Sequence, residues 1–138
     1  MASGLVRLKT RADFLRVAAA RRRAVRPGVM LQAAPCPPAG NGEVVRVGFT
    51  ASRKVGNAVV RNRGKRRLRA AAAQVLVRDG QPGTDYVLIA RAGTGGRDYA
   101  ELVADLETAL RQVNRRHLPQ PSRQTAEREA VADGVEPR

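Results

Sequence analysis

The chain has 138 residues, with 26 Lys and Arg against 12 Asp and Glu and a formal net charge of +14. That length fits one small domain, and so large a cation excess cannot be neutralised by pairing within it, so a polyanionic partner is expected. No run of 18 apolar residues marks a bilayer-spanning helix, and a single cysteine (Cys36) with a single histidine (His117) excludes an internal disulfide and a zinc site of ordinary ligand type.

The N-terminal segment lacks the long apolar stretch and cleavage site of an export signal, so the expected location is cytoplasmic, with no membrane partner. Thr10 with Asp13 three residues later fits a helix N-terminus. The spacing predicts a first helix to about Ala20, with Phe14, Val17 and Ala18 on one face and Arg21-Arg22-Arg23 at its end. Arg23 to Arg26 reads as a short strand stopped by Pro27-Gly28, and Val29 to Ala34 as a second. Pro35 to Gly42 reads as a loop, with Cys36 a free thiol in it.

Val44 to Ser52 is the clearest strand. Val45, Val47, Phe49 and Ala51 share one face; Arg46, Gly48, Thr50 and Ser52 share the other. Asn57 is a good N-cap for the helix that follows. Val60, Leu68, Ala71, Ala72 and Val75 recur at three- and four-residue steps and are expected to face the core. This helix ends near Val77. Tyr86 to Ala90 is an apolar strand and Gly93 to Gly96 a flexible loop. Asp98 with Glu101 opens a last amphipathic helix carrying Leu102, Val103, Leu106, Ala109, Leu110 and Val113 inward. Residues 118–138 have few large apolar groups and are expected to be disordered. The order is helix, two or three strands, helix, strand, helix, which gives an α+β sandwich over residues 1–117.

Chemistry concentrates between Val44 and Arg78, which hold ten basic residues and no acidic one. In the second helix Arg61, Lys65 and Arg69 form a stripe about 12 Å long, flanked by Asn62 and Arg66, with Arg63 and Arg67 on the other side of the apolar seam. Arginine suits phosphate because its planar fork binds oxygens in pairs. The turn Ser52-Arg53-Lys54-Val55-Gly56-Asn57 joins a strand to a helix N-terminus, where anions are favoured, but its spacing is not that of a nucleotide-binding P-loop. The signatures of an RNA-recognition motif and of a helix-turn-helix are absent. The carboxylates before residue 118 are scattered and form no nuclease-like cluster, so catalytic residues are expected to be none. A structural RNA binder, such as a ribosomal protein with a similar basic helix, is the competing reading.

Gly48-Phe49-Thr50-Ala51-Ser52-Arg53-Lys54-Val55-Gly56-Asn57 and the helix Ala58 to Arg69 closely resemble the signature of the bacterial ribonuclease P protein subunit, whose RNR motif matches Arg61-Asn62-Arg63. Leu8 to Phe14, Asp85 to Arg91 and the closing amphipathic helix agree with it. The resemblance implies a two-layer αβββαβα sandwich with a small, mostly antiparallel sheet and a left-handed βαβ crossover. It implies a protein that assists a catalytic RNA in endonucleolytic removal of the 5′ leader of precursor tRNA. The protein itself then binds no cofactor, Mg²⁺ belongs with the RNA subunit, and one protein serves each RNA. By position, RNA-subunit binding falls on Arg61, Asn62, Arg63, Lys65, Arg66, Arg67 and Arg69, and the leader cleft on Phe14, Ser52, Arg53 and Lys54. Ala18 and Gln32 stand where the family often has aromatics, and Gly64 where it usually has an aliphatic.

Overall fold

Five strands form one sheet in the order β1 (Leu5–Arg7), β4 (Val45–Ala51), β5 (Thr84–Ala90), β3 (Val29–Pro35), β2 (Arg22–Arg26). The computed structural model describes residues 5–37 and 44–117, with side chains as far as Asn114. The tail expected to be disordered and the 38–43 part of the expected loop lie outside these residues. Three helices complete the fold, α1 (Arg11–Ala19), α2 (Ala58–Asp79) and α3 (Tyr99–His117). Strand β1 is too short to carry an alternation pattern, and the sequence reading missed it. It runs parallel to β4, with Val6 opposite Arg46. Because β4 and β5 are also parallel while β2–β3 and β3–β5 are antiparallel, the sheet is evenly mixed. The expectation of a mostly antiparallel sheet is corrected accordingly.

One face of the sheet carries the main core. Val45 and Val47 of β4, Leu31 of β3 and Tyr86 and Leu88 of β5 meet Leu68, Ala71, Ala72, Val75 and Leu76 of α2 and Leu102, Leu106 and Leu110 of α3. Each fully buried leucine contributes about 1.5–3 kcal/mol, so this face supplies most of the stability. Helix α2 starts as expected, with the Asn57 side chain accepting from the Val60 N–H at 3.0 Å, worth about 1 kcal/mol. Val60 itself is 36% exposed and is corrected out of the core, because it lies against the turn at Gly56 and not on the sheet. Gly64 is buried, and a Cβ there would come within 3.1 Å of the Ala90 Cβ. The helix gives up about 1 kcal/mol of propensity relative to alanine and in exchange lies close on β5. The Gly93–Gly96 stretch is not a flexible loop. It contains a 3-10 turn, Thr94–Gly96, whose buried Thr94 hydroxyl donates to the Gly28 carbonyl and accepts from the Arg91 N–H.

Strand β5 is apolar on both faces, and this decides where α1 goes. Tyr86, Leu88 and Ala90 face α2 and α3, while Val87 joins a second cluster with Leu8, Val17 and Ala34, against which Phe14 and Ile89 pack. Helix α1 therefore lies on the opposite face, and the two-layer arrangement is corrected to one with a partial third layer. Thr10 caps α1 by accepting from the Asp13 N–H at 3.2 Å, and Arg21, at φ 63°, turns the chain out of it. A helix of nine residues is marginal on its own, and only Val17 of α1 is fully buried.

Its second anchor is ionic. Asp85 is fully buried and stands directly opposite Arg46 across the β4–β5 ladder. Arg46 grips it with a two-pronged fork at 2.8 and 2.7 Å, Arg16 of α1 donates to the same carboxylate, and the Cys36 thiol reaches it at 2.9 Å. Asp13 of α1 pairs in turn with Arg16 and Arg46 at 3.3 and 3.4 Å. Burial alone would raise the Asp85 pKa, but the hydrogen bonds from Arg46, Cys36 and Arg16 outweigh it and hold the carboxyl below its usual range. Burial and the same carboxylate push the Cys36 thiol up to about 11, which leaves it unreactive at neutral pH.

A carboxylate whose folded pKa lies below its unfolded value contributes stability that is complete above about pH 4 and is lost as pH falls through the folded value. Stability is therefore expected to decline in acid below about pH 4. Asp85→Asn is expected to cost about 3 kcal/mol at neutral pH and to make the acid decline shallower. Denaturant titrations of both proteins at neutral pH and near pH 3 measure this, and parallel acid declines would assign the acid sensitivity elsewhere.

Candidate RNA-binding surfaces

The face of the sheet that α1 covers only in part is built from three cross-strand rows. The first is Ala34, Asp85 and Arg46; the second Gln32, Val87 and Gly48; the third Met30, Ile89 and Thr50. The first row is closed over by the ion pairs to α1. Gln32 and Val87 of the second and Ile89 and Thr50 of the third, with Phe49 beside them, form the floor of an open groove of about 470 Å³, whose wall is Arg11, Phe14, Leu15 and Ala18 of α1. Phe14 leans over the second row so closely that a Cβ on residue 48 would sit 2.5 Å from its ring. Glycine is required there for the ring to lie down on β4. Phe14 is thus half-buried, with one side on the sheet and the other lining the groove.

The sequence reading placed Phe14, Ser52, Arg53 and Lys54 in one cleft. Phe14 lines the groove. Ser52, Arg53 and Lys54 do not line it; they are exposed on the 3-10 turn that leaves β4 just beyond Thr50. Ala18 and Gln32, where aromatics are absent, both line the groove, so the two departures fall on one site and Phe14 is left as its principal aromatic surface. Phe49 packs against the main core, with the Arg7 guanidinium 5.3 Å from its ring centre, and also lines one edge of the groove. Arg11, Leu15, Thr50, Val87 and Ile89 were missed. The signal that could have found the last two is the apolar run Tyr86 to Ala90, since a strand apolar on both faces must be covered on both.

The second surface is α2. Arg61 and Lys65 are half-buried and Arg69 is exposed, in a row on the flank away from α3; Asn62 and Arg66 point outward beside them. None of these four cations, nor Arg53 nor Lys54, makes a hydrogen bond or ion pair among the described residues. The opposite flank behaves differently. Arg63 donates from Nε to the Gly95 carbonyl at 2.9 Å, and Arg67 donates to the Arg97 carbonyl. Lower on that flank, Arg78 pairs with Asp79 and Glu107 at 2.9 and 2.7 Å. Four of the ten cations counted from the sequence, Arg46, Arg63, Arg67 and Arg78, therefore hold the fold together at least in part. The other six are displayed on the β4–α2 junction and along one side of α2, beside the open end of the groove. Six unpaired cations on a rigid frame have the chemistry of a surface for phosphates.

A family model for ribonuclease P matches residues 3–114. The ribonuclease P protein component of Paramagnetospirillum magneticum is 54% identical over 114 residues, which are 82% of this chain and 86% of that one. That of Ruegeria pomeroyi is 51% identical over 120 residues, covering 86% of this chain and 92% of that one. The structure of the Staphylococcus aureus RNase P protein superimposes with a TM-score of 0.61 at 26% identity, over 76% of this chain and 92% of that one. Sequence match and fold agree: the chain belongs to the ribonuclease P protein family.

Proposed function

We propose that this chain is the protein subunit of ribonuclease P and assists a catalytic RNA in removing the 5′ leader of precursor tRNA. The observation that carries this reading is the adjacency of two unlike surfaces. An open groove with Phe14 on its wall reaches Thr50 on β4, two residues before Ser52-Arg53-Lys54, and the unpaired cations of α2 begin at Arg61 in its first turn. A single-stranded leader in the groove lays a base against Phe14 and its phosphates along Arg53 and Lys54. Phosphate contacts position a strand without reading its sequence, and stacking on an aromatic is worth about 1–3 kcal/mol per base. With Ala18 and Gln32 in place of further aromatics, stacking falls largely on Phe14.

Helix α2 then docks on the catalytic RNA through Arg61, Asn62, Lys65, Arg66 and Arg69. Arg63 and Arg67 face the same partner with donors that their bonds to Gly95 and Arg97 leave over. The two surfaces share an edge, so one protein bound to one RNA places the leader beside it. Metal-assisted chemistry is assigned to the RNA, with Mg²⁺ at the scissile phosphate. Among the described residues no three His, Cys, Asp or Glu side chains are grouped as metal ligands. The protein's own contribution is binding and orientation.

Three outcomes follow. Purified protein alone is expected to leave precursor tRNA uncut at its 5′ site at any Mg²⁺ concentration; site-specific cleavage that survives nuclease treatment of the preparation would overturn the division of labour. Phe14→Ala is expected to weaken holoenzyme binding of precursor tRNA by about five- to a hundredfold, toward the lower end, and to leave mature tRNA nearly unaffected; equal weakening of both would make Phe14 a core residue only. For assembly with the catalytic RNA, log affinity should fall linearly with log salt. Arg61→Ala or Lys65→Ala should each reduce that slope by about 0.7 to 0.9, and unchanged slopes in every α2 variant would move the docking site off this helix.

A further inference from the structure

The groove has one wall that is not part of the sheet, and that wall is weakly held by apolar contact. Helix α1 has nine residues and one fully buried side chain, Val17. It nevertheless carries Arg11, Phe14, Leu15 and Ala18, which make up the whole helical side of the groove. Its position on the sheet fixes where the free face of the Phe14 ring stands over the groove, which is the surface a base would lie against. A wall that moved by an ångström would change the site, because stacking needs the ring at contact distance and near-parallel to its guest.

The polar contacts that fix α1 converge on one atom group. Arg16 donates to the Asp85 carboxylate and also to the Pro35 carbonyl at 2.9 Å. Asp13 reaches Arg46, which holds Asp85 from the neighbouring strand. The groups facing Asp85 are therefore Arg16 and, through the arginines, Asp13 from α1, Arg46 from β4, and Cys36 from the end of β3. The carboxylate is fully buried on the strand that also supplies Val87 and Ile89 to the groove floor. Its position is set by the sheet, so it transmits the position of the sheet to α1. Nothing in this arrangement touches the groove lumen; Asp85 and Arg16 do not line it.

Resting on the reading of the groove as the leader site, we infer that Asp85 is a positioning residue for leader binding. It clamps α1 through Arg16 and so holds the Phe14 ring down on Gly48 with its free face toward the groove. The charge sign makes this separable from simple electrostatics. Asp85→Asn removes a negative charge and adds to the net positive charge, so electrostatics alone would tighten RNA binding. Positioning requires the opposite.

The test uses full-length Asp85→Asn, Arg16→Met and Phe14→Ala, each reconstituted with the catalytic RNA. Three things are measured: the affinity ratio of precursor to mature tRNA, its salt dependence, and amide hydrogen exchange of the free proteins. Arg16→Met keeps the Asp85–Arg46 pair inside the sheet and cuts only the link to α1, so it remains informative if Asp85→Asn fails to fold. The expected result is a loss of about five- to tenfold in the precursor-to-mature ratio for both clamp variants. The salt slope of that ratio stays unchanged, and α1 amides exchange at least about tenfold faster while those of α2 do not. Retention of the ratio in Arg16→Met, while Phe14→Ala loses it, would remove the role of Asp85 and leave the groove reading standing. A loss in Arg16→Met with a slope flatter by about 0.7 would make Arg16 a direct phosphate contact and would also remove that role. If Phe14→Ala itself keeps the ratio, the groove reading fails and the inference falls with it.

Discussion

One buried carboxylate sorts the cations of this chain into two kinds. Asp85 sits at the centre of the sheet, gripped by Arg46 from the next strand and by Arg16 from the helix above. A buried ion pair gives little net stability over an apolar replacement, because desolvation offsets attraction, yet removing one partner leaves a charge stranded. Its value here is geometric. The pair ties the small second layer to the sheet at one defined place, and everything on that face takes its position from it. Between Val44 and Arg78, the cations that found acceptors became structure, and the other six have no partner among the described residues.

The same division runs along α2. One flank turns Arg63 and Arg67 onto the carbonyls of Gly95 and Arg97 and so fixes the 3-10 turn that seals the end of the β2–β3 hairpin through Thr94 and Gly28. The other flank keeps Arg61, Lys65 and Arg69 without partners. A helix so charged would repel itself in isolation. It is tolerated because the fully buried Leu68, Ala71, Ala72 and Val75 hold its inner face to the sheet. The close seat at Gly64 and Ala90 brings the basic helix near the sheet. On the proposed reading, binding energy from two surfaces on one rigid frame is the protein's contribution to cleavage.

Much of this was legible in the sequence, and the exceptions have physical reasons. The faces of β4 were readable from alternation, and α2 and α3 from their three- and four-residue steps, because those periods are imposed locally. The basic ridge was readable because no acidic residue interrupts it. Strand β1 was not, since three residues carry no period. The side of the sheet taken by α1 was not, because Phe14, Val17 and Ala18 share a helical face whichever layer the helix joins. Val60 fits the apolar seam of α2 but sits on the first turn, beyond the sheet. Arg46, Arg63 and Arg67 look like free cations in the sequence, and their acceptors lie about thirty to forty residues away along the chain, two of them backbone carbonyls that no composition count records. The same blindness hid the groove, whose floor brings together residues as far apart along the chain as Gln32 and Ile89.

The central claim is that the groove beneath α1 and the outer side of α2 meet different RNAs. The most direct measurement replaces Phe14 and, separately, Arg66 with a photoreactive amino acid and maps the crosslinks in the holoenzyme bound to precursor tRNA. The account predicts that position 14 marks leader nucleotides and that position 66 marks the catalytic RNA, with the position 14 crosslink absent when mature tRNA is bound. Crosslinks from both positions to the same RNA, or a position 14 crosslink that persists without a leader, would contradict it.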